Sequence, residues 1–191
     1  MRNLLFISII TLLVQSCAPL VGTVGMVSLG AASKEKGLGT SIQDSLIKTK
    51  ISNLIYKYNK DLIADTKVFV NNGIVLYTGK LNNPNDKIEF TKLAWNIRGV
   101  KEVNNEIQVT DTSSLKNIAR DIASVGEIRA RIMADKSINS INFSIDVVND
   151  TAYISGVATS ELEINLVKSH VSSARFIKEV YNYILLNKDT R

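Results

Sequence analysis

Apolar residues return at helical spacing in two places: Ile42, Leu46, Ile51, Leu54, Ile55 and Tyr58, then Ile122, Val125, Ile128 and Ile132. This predicts two amphipathic helices with these residues as their core stripes. A pair of alternating runs follows each helix. Lys67 to Val70 and Ile74 to Gly79 are joined at Asn71-Asn72-Gly73, and Ile145 to Val147 and Ala152 to Gly156 at Asn149-Asp150. Asn, Asp and Gly tolerate the positive φ of a tight turn, so both pairs read as β-hairpins. A second helix starts near Pro84 and near Ser160, with core positions Phe90, Ala94, Ile97 and Val167, Val171, Ala174. A closing strand carries Val103, Ile107, Val109 in one case and Val180, Ile184, Leu186 in the other.

The two stretches are copies of one unit. At a constant offset of 77 residues Asp44 matches Asp121, Ile51 matches Ile128, Ile55 matches Ile132, and Gly79 matches Gly156. The agreement is best where Arg98 to Ile107 lies over Arg175 to Ile184. The expected fold is α+β: two tandem domains, 40–110 and 119–187, each α-β-β-α-β with two helices on a three-stranded sheet. At about 70 residues each is near the lower limit for an independent core, which favours packing of the copies on each other.

Before the repeat, Arg2 precedes an apolar run from Leu4 to Val14. That is the layout of an export signal over 1–16, too short to cross about 30 Å of hydrocarbon. A retained membrane helix is the competing reading, since no charge falls between Arg2 and Lys34, but Gln15, Pro19, Gly22 and Gly25 interrupt it. Leu13-Val14-Gln15-Ser16-Cys17 resembles the lipobox of bacterial lipoproteins, in which the cysteine thiol takes diacylglycerol and its freed amine a further acyl chain. A buried free thiol is the alternative, yet the chain's one cysteine stands where a lipobox needs it. Ala18 after it implies, by the same resemblance, sorting to the outer membrane. Residues 17–39 hold five of the ten glycines and read as the lipidated N-terminus and a flexible tether.

Composition narrows the chemistry. A single Cys and a single His, His170, leave no disulfide framework, no metal-ligand spacing and no triad; no phosphate loop or dinucleotide fingerprint occurs. An enzyme, a cofactor and a metal are therefore not expected. Glu161 and Glu163 read as a solvated first helical turn. The formal charge of +5 is far from the basic stripe of a nucleic-acid binder. Residues 40–110 hold ten basic and seven acidic residues, residues 111–191 ten of each.

The hairpins ending in Thr78-Gly79 and Ser155-Gly156, with Gly99-Val100-Lys101-Glu102-Val103-Asn104-Asn105 closing the first unit, resemble the BON domain. The second unit departs from that pattern with Phe176-Ile177 in place of Gly-Val. Lipobox, tether and two such units together are similar to the dual-BON outer-membrane lipoproteins of the DolP-like class. The resemblance implies a non-enzymatic protein, lipid-anchored in the outer membrane and facing the periplasm. It also implies binding of anionic, phosphatidylglycerol-like phospholipid through the second BON domain, and support of envelope integrity. In the second domain Arg129, Arg131 and Lys136 lie on or just after the first helix, with Arg120 ahead of it, where anionic headgroups attract each cation by about 1 kcal/mol. An ordinary solvated helix face is the other reading. Val125 and Met133 are the apolar candidates for insertion. Trp95, opposite Ser172 in the repeat, is open to three readings: packing between the units, lipid contact, or flanking core. A lipid-anchored scaffold for envelope protein partners is the alternative function.

Overall fold

The computed structural model describes residues 38–110 and 115–187. The expected signal segment, Cys17 and most of the expected tether lie outside them. The first domain runs α1 (Leu38–Tyr58), a 3₁₀ turn (Lys60–Ile63), β1 (Thr66–Asn71), β2 (Ile74–Leu81), α2 (Pro84–Trp95), β3 (Glu102–Asn105) and β4 (Gln108–Val109). The second repeats it: α3 (Leu115–Ala134), a 3₁₀ turn (Ser140–Asn142), β5 (Phe143–Val148), β6 (Thr151–Ala158), α4 (Glu161–Ser172) and β7 (Glu179–Leu186). In each sheet the central strand pairs antiparallel with its hairpin partner and parallel with the closing strand. The expected α+β fold of two helices on a three-stranded sheet, made twice, is what forms. The closing strand differs between copies, since β7 is continuous while its counterpart is interrupted between β3 and β4. Helix α3 begins four residues ahead of the expected start at 119, so Arg120 lies within it.

The matched residues recur because they do the same work. Both hairpin turns have two residues at positive φ, Asn72 and Gly73 or Asn149 and Asp150. The preceding helix sends a carboxylate to their amides: Asp44 accepts from Asn72 and Gly73 N–H at 2.9 Å each, and Asp121 from Asn149 and Asp150 at 3.0 and 3.1 Å. Gly79 and Gly156 lie under the chain entering the hairpin. A Cβ there would stand 2.1 Å from the Asp65 carbonyl or 2.3 Å from that of Asn142. The Phe176 departure is accommodated by its neighbour. Gly99 faces Gln43 in the first copy, whereas in the second Arg120, at the position of Gln43, lays its guanidinium 4.9 Å from the centre of the Phe176 ring.

Two expectations fail on the helices. Ile42, Leu46 and Ile122, assigned to core stripes, are 50%, 56% and 68% exposed. The buried row of α1 is Ile47, Ile51 and Ile55, and that of α3 is Ile128 and Ile132. Spacing cannot separate two faces of one helix when both carry apolar residues. Glu163 is likewise not solvated: it is buried and accepts from the Asn139 and Thr159 amides at 2.8 Å, while Ser160 caps its N–H.

Helices cover one face of each sheet, and the two other faces meet. Leu76, Val148 and Tyr153 form a buried cluster of their own, with Phe69 and Tyr183 against it. This explains why all eight residues of β6 are buried instead of alternating. Leu76 and Tyr153 are equivalent positions of the repeat, as are Glu106 and Tyr183, whose hydroxyl donates to the Glu106 carboxylate at 2.6 Å. Contact between equivalent positions is the mark of an isologous, pseudo-two-fold interface. Polar groups fix its register: buried Asp146 accepts from Lys67 and, at 2.6 Å, from Thr78, and Asn71 donates to Ser155 at 2.7 Å.

Candidate functional site

Residues Ile118, Ile122, Val125, Arg129 and Met133 follow one another at spacings of three or four along α3, which places them on one line of the helix. Ile118 is 39% exposed, Ile122 68% and Met133 73%. Val125 is half-buried and packs against the core of its own domain. The upper part of this line borders a cleft of about 470 Å³ whose far wall comes from the first domain, including Asp65, Lys67, Gly79 and Lys80.

The structure divides the basic residues singled out in the sequence. Arg129 lines the cleft, is exposed, and makes no hydrogen bond or ion pair with a described residue. Lys136, beyond the end of α3, is exposed and equally unpaired. Arg131 points the other way around the helix: it donates to Glu127 at 2.7 Å and to Ser173, beside α4, at 2.9 Å. Glu127 is held below the usual carboxylate range, first by the Arg175 backbone N–H and then by Arg131. Arg120 is committed to Asp150 at 3.0 Å and to the Phe176 ring. Two of the four cations are therefore free to meet an external anion.

Trp95 ends α2 and is 53% exposed. Among the described residues it has no part in either core or in the packing between the sheets. His170 pairs through Nε2 with Asp135 at 2.9 Å, and this bond, ahead of the Ser137 N–H, lowers the Asp135 pKa. Among the described residues no serine hydroxyl is hydrogen-bonded to the His170 ring. Among the described residues no group of three or more His, Cys, Asp or Glu could hold a metal ion, and no helix is long and apolar enough to cross a membrane.

Sequence reasoning missed Ile118, Ile122 and the first-domain residues of the cleft. A signal existed for the isoleucines. At the repeat offset the line on α3 corresponds to Ser41, Ser45, Lys48, Ser52 and Tyr56 on α1, so most of its positions are apolar in one copy and polar in the other.

The BON domain family matches residues 43–111 and 115–188. An uncharacterised Anaplasma centrale protein, described by its place in a gshII 5′ region, is 34% identical over 76% of this chain and 95% of its own length. The outer membrane lipoprotein DolP of Haemophilus influenzae is 25% identical over 91% and 92% of the two chains. The osmotically-inducible protein Y of Escherichia coli is 24% identical over 76% and 73%. With a family match to each copy of the repeat, and with the carboxylate-anchored hairpin built twice, the chain belongs to the BON family as a member with two domains.

Proposed function

We propose that this protein is a non-enzymatic lipoprotein, acylated at Cys17, anchored in the outer membrane and facing the periplasm. On this reading its second BON domain binds anionic phospholipid and thereby supports envelope integrity. The observation that carries the proposal is the exposed apolar line on α3, which includes Arg129, has Lys136 just beyond it, and has mostly polar residues at the equivalent positions of α1. Ile118, Ile122 and Met133 enter the acyl boundary, Val125 supports them from the half-buried side, and the cations meet headgroups. Arg131, already paired with Glu127, adds less. Similarity to an outer membrane lipoprotein over nine-tenths of both chains supports the anchoring and the compartment.

The test uses the mature chain, residues 17–191, carrying Cys17→Ser so that no acyl chain is attached. It binds phosphatidylglycerol vesicles at low salt, and Arg129→Glu with Lys136→Glu releases it. Absence of binding, or indifference to the charge reversal, defeats the reading. Mass spectrometry of the wild-type N-terminus reads the acylation directly. A scaffold role is the second reading, and exposed Trp95 on the first domain favours it. Cross-linking in membranes that is lost in Trp95→Ala while vesicle binding persists would assign partner contact to α2.

A further inference from the structure

The cleft between α3 and the first domain has an unusual charge arrangement. Its cations are Lys67, Lys80 and Arg129, and its anions Asp65, Asp121 and Asp146. Two of the anions are satisfied within the protein. Asp146 is buried against Lys67 and the Thr78 hydroxyl. Asp121 holds the two turn amides and lies 3.5 Å from the Lys80 ammonium. That leaves Arg129 on α3 and Asp65 ahead of β1. Both are exposed, and neither side chain has a partner among the described residues. They do not pair with each other, so one cation and one anion border the same cleft beside the apolar Ile118, Ile122 and Val125.

A simple anion gains little here, because every cation in the lining is matched in number by a carboxylate. A molecule bearing a phosphate, a primary ammonium and a hydrocarbon chain matches all three elements. The volume, about 470 Å³, is that of a small-molecule site. We propose that the cleft seats one zwitterionic aminophospholipid, with its phosphate at Arg129, its ammonium at Asp65, and an acyl chain leaving along Ile118 and Ile122. The inference rests on the membrane-binding reading above and adds selectivity to it: the anionic surface attracts α3, and the cleft then holds one ammonium-bearing headgroup from that surface. Selectivity thus comes from a residue of the first domain, although the second makes the membrane contact.

The experiment compares two vesicle types of equal charge: phosphatidylglycerol with an equal part of phosphatidylethanolamine, and the same with phosphatidylcholine in its place. Choline keeps the charge but has no N–H to donate. The mature Cys17→Ser chain binds the ethanolamine vesicles about five-fold more tightly, as expected for one partly exposed charged pair. Asp65→Asn removes the preference and leaves binding to the choline vesicles unchanged, and Asp65→Lys removes it as well. The substitutions keep the fold, since Asp65 is bonded through its backbone carbonyl, which accepts from Lys80 N–H at 3.0 Å. Equal binding to both vesicle types, or a preference that survives Asp65→Asn, overturns this inference alone. No binding to either overturns the membrane-binding reading with it.

Discussion

Helices α1 and α3 occupy the same place in two copies of one domain, and they agree only on the side turned inward. Asp44 and Asp121 anchor equivalent turns, and Ile51 and Ile55 are buried as Ile128 and Ile132 are. On the outer side, Ser45 and Lys48 in α1 stand where α3 has exposed Ile122 and half-buried Val125, while Ser41, the counterpart of exposed Ile118, is buried. Folding constrains the inner face through packing and hydrogen bonds. It places almost no constraint on the outer one, where an exposed isoleucine contributes little to stability. Divergence on the exposed face therefore reports on what the helix meets outside the chain, whereas the buried exchange of Ile47 for Ser124 belongs to packing.

The most severe test exchanges the two faces. Ile118→Ser with Ile122→Ser gives α3 the surface of α1 and removes two apolar side chains from the membrane contact. At about 1–1.5 kcal/mol for each partly buried isoleucine, vesicle affinity falls about a hundred-fold. The melting temperature scarcely moves, because both residues are exposed in the folded protein. The converse set on α1, Ser45→Ile, Lys48→Val and Ser52→Arg, creates a second binding face, read as tighter co-sedimentation with phosphatidylglycerol vesicles. If the exchange leaves binding intact, the difference between the helices is not about membranes.

The inner face should behave oppositely. Asp44→Ala and Asp121→Ala each strip a hairpin of a carboxylate that accepts two amide hydrogen bonds. A loss of about 2 kcal/mol is expected in either copy, measured by urea denaturation. A smaller third effect distinguishes the cores. Tyr77 lies wholly inside the first domain, edge-on to Phe90 with ring centres 5.4 Å apart, whereas its counterpart is Ile154. Its hydroxyl has no hydrogen-bond partner, and burial pushes its pKa up. Tyr77→Phe therefore raises stability by about 1 kcal/mol.

Much of this was legible in the chain. The offset of 77, the Asn-Gly and Asn-Asp turns and the Pro84 and Ser160 helix starts all reflect local backbone chemistry, which sequence states directly. The contact between the sheets was not. Ile145-Asp146-Val147 alternates like a strand with one wet face, yet Asp146 is 1% exposed, because its polar neighbours on the other domain replace water. A buried polar seam and a solvated face carry the same residue types. For the site, the sequence singled out basic residues on one helix without showing which of them are paired. Arg129, Met133 and Lys136 remain available, while Arg131 is turned toward Glu127 and Ser173 by two positions of helical phase. The cleft joins residues as far apart in the chain as Ala64 and Val148 and has no local signature.

The smallest prediction concerns pH, where equivalent positions titrate in opposite directions. At the end of α3, Asp135 has its pKa lowered, chiefly by the His170 hydrogen bond. Its counterpart on α1 is Tyr58, whose pKa is raised, chiefly because its hydroxyl donates to Asp86 at 2.7 Å. A depressed carboxyl stabilises the folded form above its unfolded value, about pH 4, and that contribution disappears as pH falls through the folded pKa. A raised phenol does the reverse: its contribution is complete below the unfolded value of about 10 and disappears as pH rises through the folded one. Acid should therefore loosen the C-terminal turn of α3 first, and alkali that of α1. Both groups lie at helix ends and are in part open to solvent, so the effects are local and are best read by amide hydrogen exchange at the two helix ends, not by global melting. Asp135→Asn should abolish the acid response at α3 and leave α1 unaffected, and Tyr58→Phe should do the same for the alkaline response at α1. Acid loosening of both ends together would instead mean that the shared seam, and not these side chains, responds to the proton.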